Sequence, residues 1–312
     1  MKIIFIDANT IGDDIDLSFL NDLGELVLWP KSTEEEAAER LKDADIVITN
    51  KVPINEKTIG EAHKLKLVCV CATGTNNLDK EYLAKRNIPW KNVAGYSTDA
   101  VAQHTFTMLL YLLGKIRHYD DYVKNDDYVH CDSFCYIGKA FHELSTMTWG
   151  IIGLGNIGRK VADIAKAFGC HVIYASTTGS KPQEGYEQVD METLYASSDI
   201  ISIHASLNKS TEGLINKDSL AKMKKNCILI NVGRGPIVIE QDLYDALTNG
   251  TIAAAGLDVL SKEPMQNDNP LRQIKDSEKL LITPHSAWAT VEARSRLMHM
   301  VYDQIKEFQG NL

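Results

Sequence analysis

Long apolar runs are missing from this 312-residue chain, and so is any excess of basic charge. No stretch approaches the roughly 20 apolar residues that span a bilayer, so no membrane partner is expected. Lysine and arginine total 33 against 42 acidic residues, a formal net charge of −9, and no basic stripe offsets it, so no nucleic-acid partner is expected either. The densest basic run, Lys222, Lys224 and Lys225, reads as a solvated helix end. Cysteine is sparse: Cys69, Cys71, Cys131, Cys135, Cys170 and Cys227 are spread through the chain. Cys131 and Cys135 lack a second ligand pair, and no metal is expected. The opening MKIIFIDANT breaks its apolar run at Asp7, too early for a secretory signal core. Reduced thiols and a cytoplasmic location follow as expectations.

What remains, 44% hydrophobic and 24% charged, is the composition of an ordinary globular protein. Its length exceeds what one core usually organises, so two domains are expected. The most informative stretch is residues 149–176, WGIIGLGNIGRKVADIAKAFGCHVIYAS. An apolar run over 150–153, helical spacing of Val161, Ile164, Ala165 and Phe168, and a second apolar run over 172–175 give strand, helix and strand. Gly153, Gly155 and Gly158 stand where a dinucleotide-binding turn needs them: for the tight turn, for close approach of backbone to a pyrophosphate, and for helix–strand packing. The helix would face the phosphates with free N–H groups and the positive end of its dipole.

Before this motif, apolar runs at 3–6, 26–29, 46–49 and 67–70 alternate with helical segments near 33–42 and 56–63, which predicts a small parallel α/β sheet. After it, runs at 200–204, 228–232, 253–259 and 280–283 read as the later strands of a doubly wound sheet. Residues 98–117, apolar at Val101, Phe106, Met108, Leu109 and Leu112, predict a long helix crossing between domains. A second crossing is expected near Pro284, ahead of a terminal helix over 289–308. The expected organisation is therefore residues 1–97 plus 285–312 as substrate domain, with a dinucleotide-binding domain, 98–284, inserted into it. A small substrate would sit in the cleft beside the carboxyl ends of the strands.

Three downstream segments place polar groups just beyond strand ends: NVGRG with Arg234, GLDVLSKEP with Asp258 and Glu263, and TPHSAW with His285. Singly, each is ordinary surface polarity. Together they supply what reduction of a 2-oxo acid needs. Arg recognises a carboxylate bidentately, and His titrates near neutral pH with an adjacent carboxylate favouring its charged form.

The order of glycine turn, NVGRG, LDV with a following KEP, and TPHSAW resembles the D-isomer-specific 2-hydroxyacid dehydrogenases across essentially the whole chain. Residues 95–106, GYSTDAVAQHTF, are most similar to the glycerate dehydrogenase or hydroxypyruvate reductase branch. The resemblance implies two Rossmann-like or flavodoxin-like domains with doubly wound parallel sheets, and an NAD(P)-dependent oxidoreductase acting on a CH–OH group. It implies Arg234 on the substrate carboxylate and carbonyl, His285 as acid/base, and Glu263 holding and charging His285. Thr73 and Gly74, with Ala72, match the backbone cradle of the carboxylate. Asp258 matches the contact to the nicotinamide amide, and Thr98 lies near the cofactor. Asn156 and Ile157 would present backbone to the pyrophosphate beside the three glycines. His204, Val232 and Gly233 complete the cofactor set. Trp288 is counted with them, and otherwise walls the substrate pocket or packs at the start of the terminal helix. The resemblance also implies a homodimer joined through the cofactor domains.

The chain departs from that pattern at Ser176. Enzymes using NAD usually end the second strand in an acid that accepts from the ribose hydroxyls. No acidic residue occurs between Asp163 and Glu184. Ser176, Thr177, Thr178, Gly179, Ser180 and Lys181 instead offer hydroxyls and one cation to a 2′-phosphate, so NADPH or dual use is favoured over strict NADH. Other departures are Ser206, where proline is common, and residues 145–147 in place of a Gly-Lys turn. His104 and Gln103 read as packing or capping residues, while His118, His130 and His142 show no ligand spacing. A nucleotide-sensing corepressor on the same scaffold is the competing reading. The absence of long tails weighs against it, just as the early end of the chain weighs against a phosphoglycerate dehydrogenase with a regulatory domain. Which 2-hydroxy acid is turned over stays open.

Overall fold

The computed structural model describes residues 1–179 and 182–311. The chain divides into two compact units, Met1–Ser97 with Trp288–Leu312, and Thr98–Ala287.

The first unit is built on β1 (Lys2–Phe5), β2 (Glu25–Leu28), β3 (Ile46–Thr49), β4 (Leu67–Val70) and β5 (Trp90–Asn92). All neighbours are parallel, in the order β2-β1-β3-β4-β5. In β3 and β4 every residue is buried, as expected of strands covered on both faces. Cys69 and Cys71 are both fully buried. Helices Glu34–Arg40 and Glu56–Ile59 each start at a reciprocal capping box, through Thr33 with Glu36 and Asn55 with Thr58. The terminal helix is Val291–Gly310, capped by Thr290 and burying Leu297, Met298, Val301 and Ile305. Beyond β1, the buried Asp7 carboxylate accepts the backbone N–H groups of Asn50, Lys51 and Val52, fixing the loop beyond β3. Burial still pushes this carboxyl above its ordinary value against those three bonds.

The second unit carries β6 (Thr148–Ile152), β7 (His171–Ala175), β8 (Glu187–Gln188), β9 (Ile200–Ile203), β10 (Ile228–Asn231), β11 (Ala254–Leu257) and β12 (Leu280–Ile282). They pair in parallel in the order β12-β11-β10-β9-β6-β7-β8. The order reverses between β9 and β6, which makes the carboxyl ends of those two strands the place where such sheets bind ligands. The α/β, doubly wound expectation is thus met in both units.

The long helix ends earlier than its apolar spacing suggests, at Thr98–Leu113; after Gly114, Lys115 turns left-handed (φ 52°) and a separate helix runs Ile116–Lys124. At Gly256 in β11 a Cβ would come 2.8 Å from the Ile230 Cδ1 and 3.3 Å from the Met108 Cε of the long helix, so glycine keeps this contact close. Phe168, read as part of an apolar helix face, closes helix Asn156–Ala167 instead and is 46% exposed while stacking on Phe106. Among the described residues no helix is long and apolar enough to cross a membrane, and no group of acidic, His and Cys side chains could hold a metal ion.

Candidate active site

The glycine turn follows β6. Gly153 has φ +90°, a conformation L side chains rarely adopt, and a Cβ on it would sit 2.9 Å from Ala205 backbone. A Cβ on Gly158 would meet the Gly153 carbonyl oxygen at 2.2 Å, so only glycine lets the helix start this close to the strand. Gly155 differs: nothing lies within 4 Å of its would-be Cβ. It is also the N-cap of helix Asn156–Ala167, and no side chain caps that end. Asn156, Ile157 and Gly158 therefore begin a helix whose N-terminal end no side chain caps, as a pyrophosphate site requires. The residues present fit a dinucleotide.

Around the carboxyl ends of β10, β11 and β12, three loops are tied together. Beyond β10, the fully buried Asn231 accepts the Gly233 N–H on Oδ1 and donates from Nδ2 to the Arg234 carbonyl, at 3.0 Å each. That staple holds Val232, Gly233 and Arg234 in a tight turn, and the Arg234 Nη1 donates to the Gly233 carbonyl. Gly235 then presses on the next loop, where a Cβ would lie 1.9 Å from the Leu260 carbonyl carbon. The Leu260 N–H donates to Glu263 Oε1 at 2.9 Å, and Glu263 Oε2 is 2.7 Å from His285 Nδ1. The loops carrying Arg234, Glu263 and His285 are thereby contiguous.

His285 is held with unusual force. It is a non-glycine residue in the left-handed region (φ 54°), a conformation that costs about 1–2 kcal/mol. Asp258, 2% exposed, supplies the compensation. Its carbonyl accepts the His285 N–H, Oδ1 accepts the Ser286 N–H and the Thr283 hydroxyl, and Oδ2 accepts the Ala287 N–H. His104, from the long helix, reaches Thr283 Oγ1 at 2.9 Å and lies 3.5 Å from Asp258 Oδ1. From sequence His104 reads as a packing or capping residue; in the structure it braces the turn that carries His285. Asp258 likewise reads from sequence as a cofactor contact, and three of its carboxylate bonds go to this turn. Neither role has a local signal, because the partners are 179 and 25 residues away.

The remaining expected residues are placed as follows. Ser176 directly follows β7, and its Oγ accepts from the Thr178 N–H across Thr177. Ser180 and Lys181 lie outside the described residues. His204 follows β9, its N–H bonded to the Ile152 carbonyl beside the glycine turn. A Cβ on Gly233 would be 3.1 Å from the Ala205 carbonyl oxygen, so the Val232–Gly233 turn abuts the His204 loop. Thr98 opens the long helix, where Asp99 pairs with Lys160 at 3.0 Å. Thr73, Gly74 and Trp288 belong to the first unit. The Thr73 hydroxyl donates to the Val93 carbonyl, and Asn92 Nδ2 donates to the Thr73 carbonyl, fixing the loop after β4. Trp288 meets Tyr96 edge-on, with ring centroids 6.3 Å apart, and the Lys51 ammonium lies 5.8 Å from its ring centre. It packs in the first unit at the approach to the terminal helix.

Residues 106–287 match the family described as D-isomer specific 2-hydroxyacid dehydrogenase, NAD binding domain. The chain belongs to that family. It is 36% identical over 314 aligned positions to a hydroxypyruvate reductase of Blautia hydrogenotrophica, covering 99% of this chain and 97% of the relative. It is 35% identical to a glycerate dehydrogenase of Methylorubrum extorquens, covering 98% and 96%. Among solved structures, an acyclic imino acid reductase in complex with NADPH and D-Arg superposes with a TM-score of 0.86 at 32% identity, covering 100% of this chain and 98% of that one. The resemblance read from the ordered motifs is thereby established, and this 2-hydroxyacid dehydrogenase stands near the hydroxypyruvate reductase and glycerate dehydrogenase branch.

Proposed function

We propose that this dehydrogenase interconverts a small 2-oxo acid of the hydroxypyruvate or glyoxylate class and its D-2-hydroxy acid at Arg234, Glu263 and His285. The observation that carries this reading is the 2.7 Å contact of Glu263 Oε2 with His285 Nδ1, backed by the Leu260 N–H on the other carboxylate oxygen. An ionised carboxylate only accepts, so Nδ1 keeps its proton and Nε2 is the nitrogen that exchanges one. A bound reduced nicotinamide supplies the hydride. Protonated His285 gives its Nε2 proton to the oxygen of the reacting carbonyl, and neutral His285 takes it back in the reverse direction. Glu263 stabilises the imidazolium that this cycle requires. The Arg234 guanidinium pairs with the substrate carboxylate. Orientation of this kind can account for several kcal/mol of barrier lowering. Oxidation of the reduced cofactor, followed by its near-ultraviolet absorbance on adding hydroxypyruvate, glyoxylate or pyruvate, tests the reading; silence across the panel favours a nucleotide sensor.

NADPH or dual use is the cofactor reading. Ser176 directly follows the second strand of the nucleotide unit, where an acid would repel a 2′-phosphate, and no acid follows before Glu184. The expected result is kcat/KM for NADPH equal to or above that for NADH; a preference of about a hundredfold for NADH, roughly 2.7 kcal/mol, contradicts it.

A homodimer through the second unit is part of the same proposal. The segment from Ile116 to Phe141 exposes Ile116, Val123, Val129, Phe134, Ile137 and Phe141, with Phe134 91% and Ile137 87% exposed. Clustered exposure of this kind marks an interaction surface. Light scattering should report twice the 34.7 kDa chain mass, and Phe134→Asp with Ile137→Asp should halve it; a wild-type monomer would exclude the dimer.

A further inference from the structure

His204 stands at the carboxyl end of β9, on the strand pair where the sheet order reverses. Its backbone N–H bonds Ile152, and the adjacent Ala205 backbone lies against the Gly153 turn. Its side chain is tied back into the sheet. Nε2 is 3.0 Å from Ser202 Oγ, and that hydroxyl accepts the indole N–H of Trp149 at 2.9 Å. Ser202 and Trp149 are both fully buried.

This chain of bonds fixes a proton. An indole nitrogen only donates, so the Ser202 oxygen spends an acceptor site on Trp149 and directs its own hydrogen elsewhere. Its other hydrogen-bond partner among the described residues is His204 Nε2. With Nε2 accepting, that hydrogen has a partner and the single proton of the neutral ring sits on Nδ1; the other tautomer would leave the Ser202 hydrogen without an acceptor among the described residues. Burial holds the ring neutral by pushing its pKa down to about 3. The Nδ1 atom is itself buried and has no hydrogen-bond partner among the described residues. A buried donor left without an acceptor is costly, so the site favours a ligand atom that can accept from it.

We propose that Trp149 and Ser202 lock His204 as its Nδ1–H tautomer so that this N–H serves as a fixed donor to an oxygen of the bound nicotinamide dinucleotide. His204 is then a cofactor-binding residue, while Ser202 and Trp149 act through it as positioning residues. The inference rests on the cofactor reading above for the identity of the acceptor, but the tautomer is a property of the protein alone. A locked neutral donor suits a neutral acceptor such as a ribose hydroxyl or carboxamide oxygen, and it avoids introducing a titrating charge beside the reacting ring.

The test is long-range 1H–15N NMR of histidine-labelled protein, with His204 assigned by its absence from His204→Phe, alongside fluorescence titration with the reduced dinucleotide. Wild type should show a protonated Nδ1 and bare Nε2 without cofactor, and the Nδ1 resonance should move on titration. Ser202→Ala should give a tautomer mixture and raise the dinucleotide Kd about tenfold, with thermal unfolding checked separately. Trp149→Phe, which removes only the indole donor, should loosen the tautomer in the same direction. A wild-type ring protonated on Nε2 overturns the proposal, as does Ser202→Ala with wild-type tautomer and unchanged Kd. If wild type shows the Nδ1–H tautomer yet binds no nicotinamide dinucleotide, the cofactor reading fails instead, and the donor's proposed acceptor fails with it.

Discussion

Replacing His285 by Gln should lower kcat for 2-oxo acid reduction by about a thousandfold and leave the dinucleotide Kd within a factor of about two. The magnitude follows from general acid–base catalysis, which typically contributes 10²–10⁴-fold. The selectivity follows from position: His285 sits on the turn beyond β12, whereas the glycine turn lies beyond β6. Because residue 285 is left-handed, a conformation Asn tolerates better than Gln, His285→Asn controls for backbone strain. Glu263→Gln should fall between, losing about a hundredfold in kcat, because a carboxamide keeps a hydrogen bond but not the charge that favours imidazolium. Near-normal kcat in both His285 variants would remove the histidine from the chemistry.

Arg234→Lys should lower kcat/KM by about a hundredfold, and Arg234→Gln by about a thousandfold, with most of the Lys loss in KM. Lys keeps the charge but presents a point donor in place of the planar fork that pairs two oxygens. The two Asn231 bonds to the turn survive either change and only the Arg234 Nη1 bond to the Gly233 carbonyl is put at stake, so folding should survive. Steady-state kinetics with hydroxypyruvate checks this; kcat/KM within about fivefold of wild type for Arg234→Gln would show that the carboxylate is bound elsewhere.

How far the amino-acid order reveals this architecture depends on the range of the forces involved. Strands β3 and β4 coincide with their runs of largely apolar residues, because a strand buried on both faces is predominantly apolar. Strands β5 and β8 escape such reading: Trp90–Asn92 is half-buried and Glu187–Gln188 is two polar residues, both at sheet edges. The long helix is shorter than its apolar spacing predicts because that spacing continues into Ile116, whereas the break after Leu113 is set by backbone conformation at Lys115. In the site, Arg234, Glu263 and His285 are visible as polar residues just past strand ends. What places them is not visible. The Asn231 staple, the Asp258 clamp and the His104 brace depend on partners that only folding brings near.

The central claim is that Arg234 and the Glu263-held His285 act on one substrate molecule. A crystal structure of the protein with its dinucleotide and oxamate, an unreactive 2-oxo acid analogue, tests it most directly. The account predicts the Arg234 guanidinium on the oxamate carboxylate and His285 Nε2 about 2.6–3.2 Å from the neighbouring carbonyl oxygen. Oxamate bound away from either side chain, or His285 Nε2 directed at a different molecule, would contradict it.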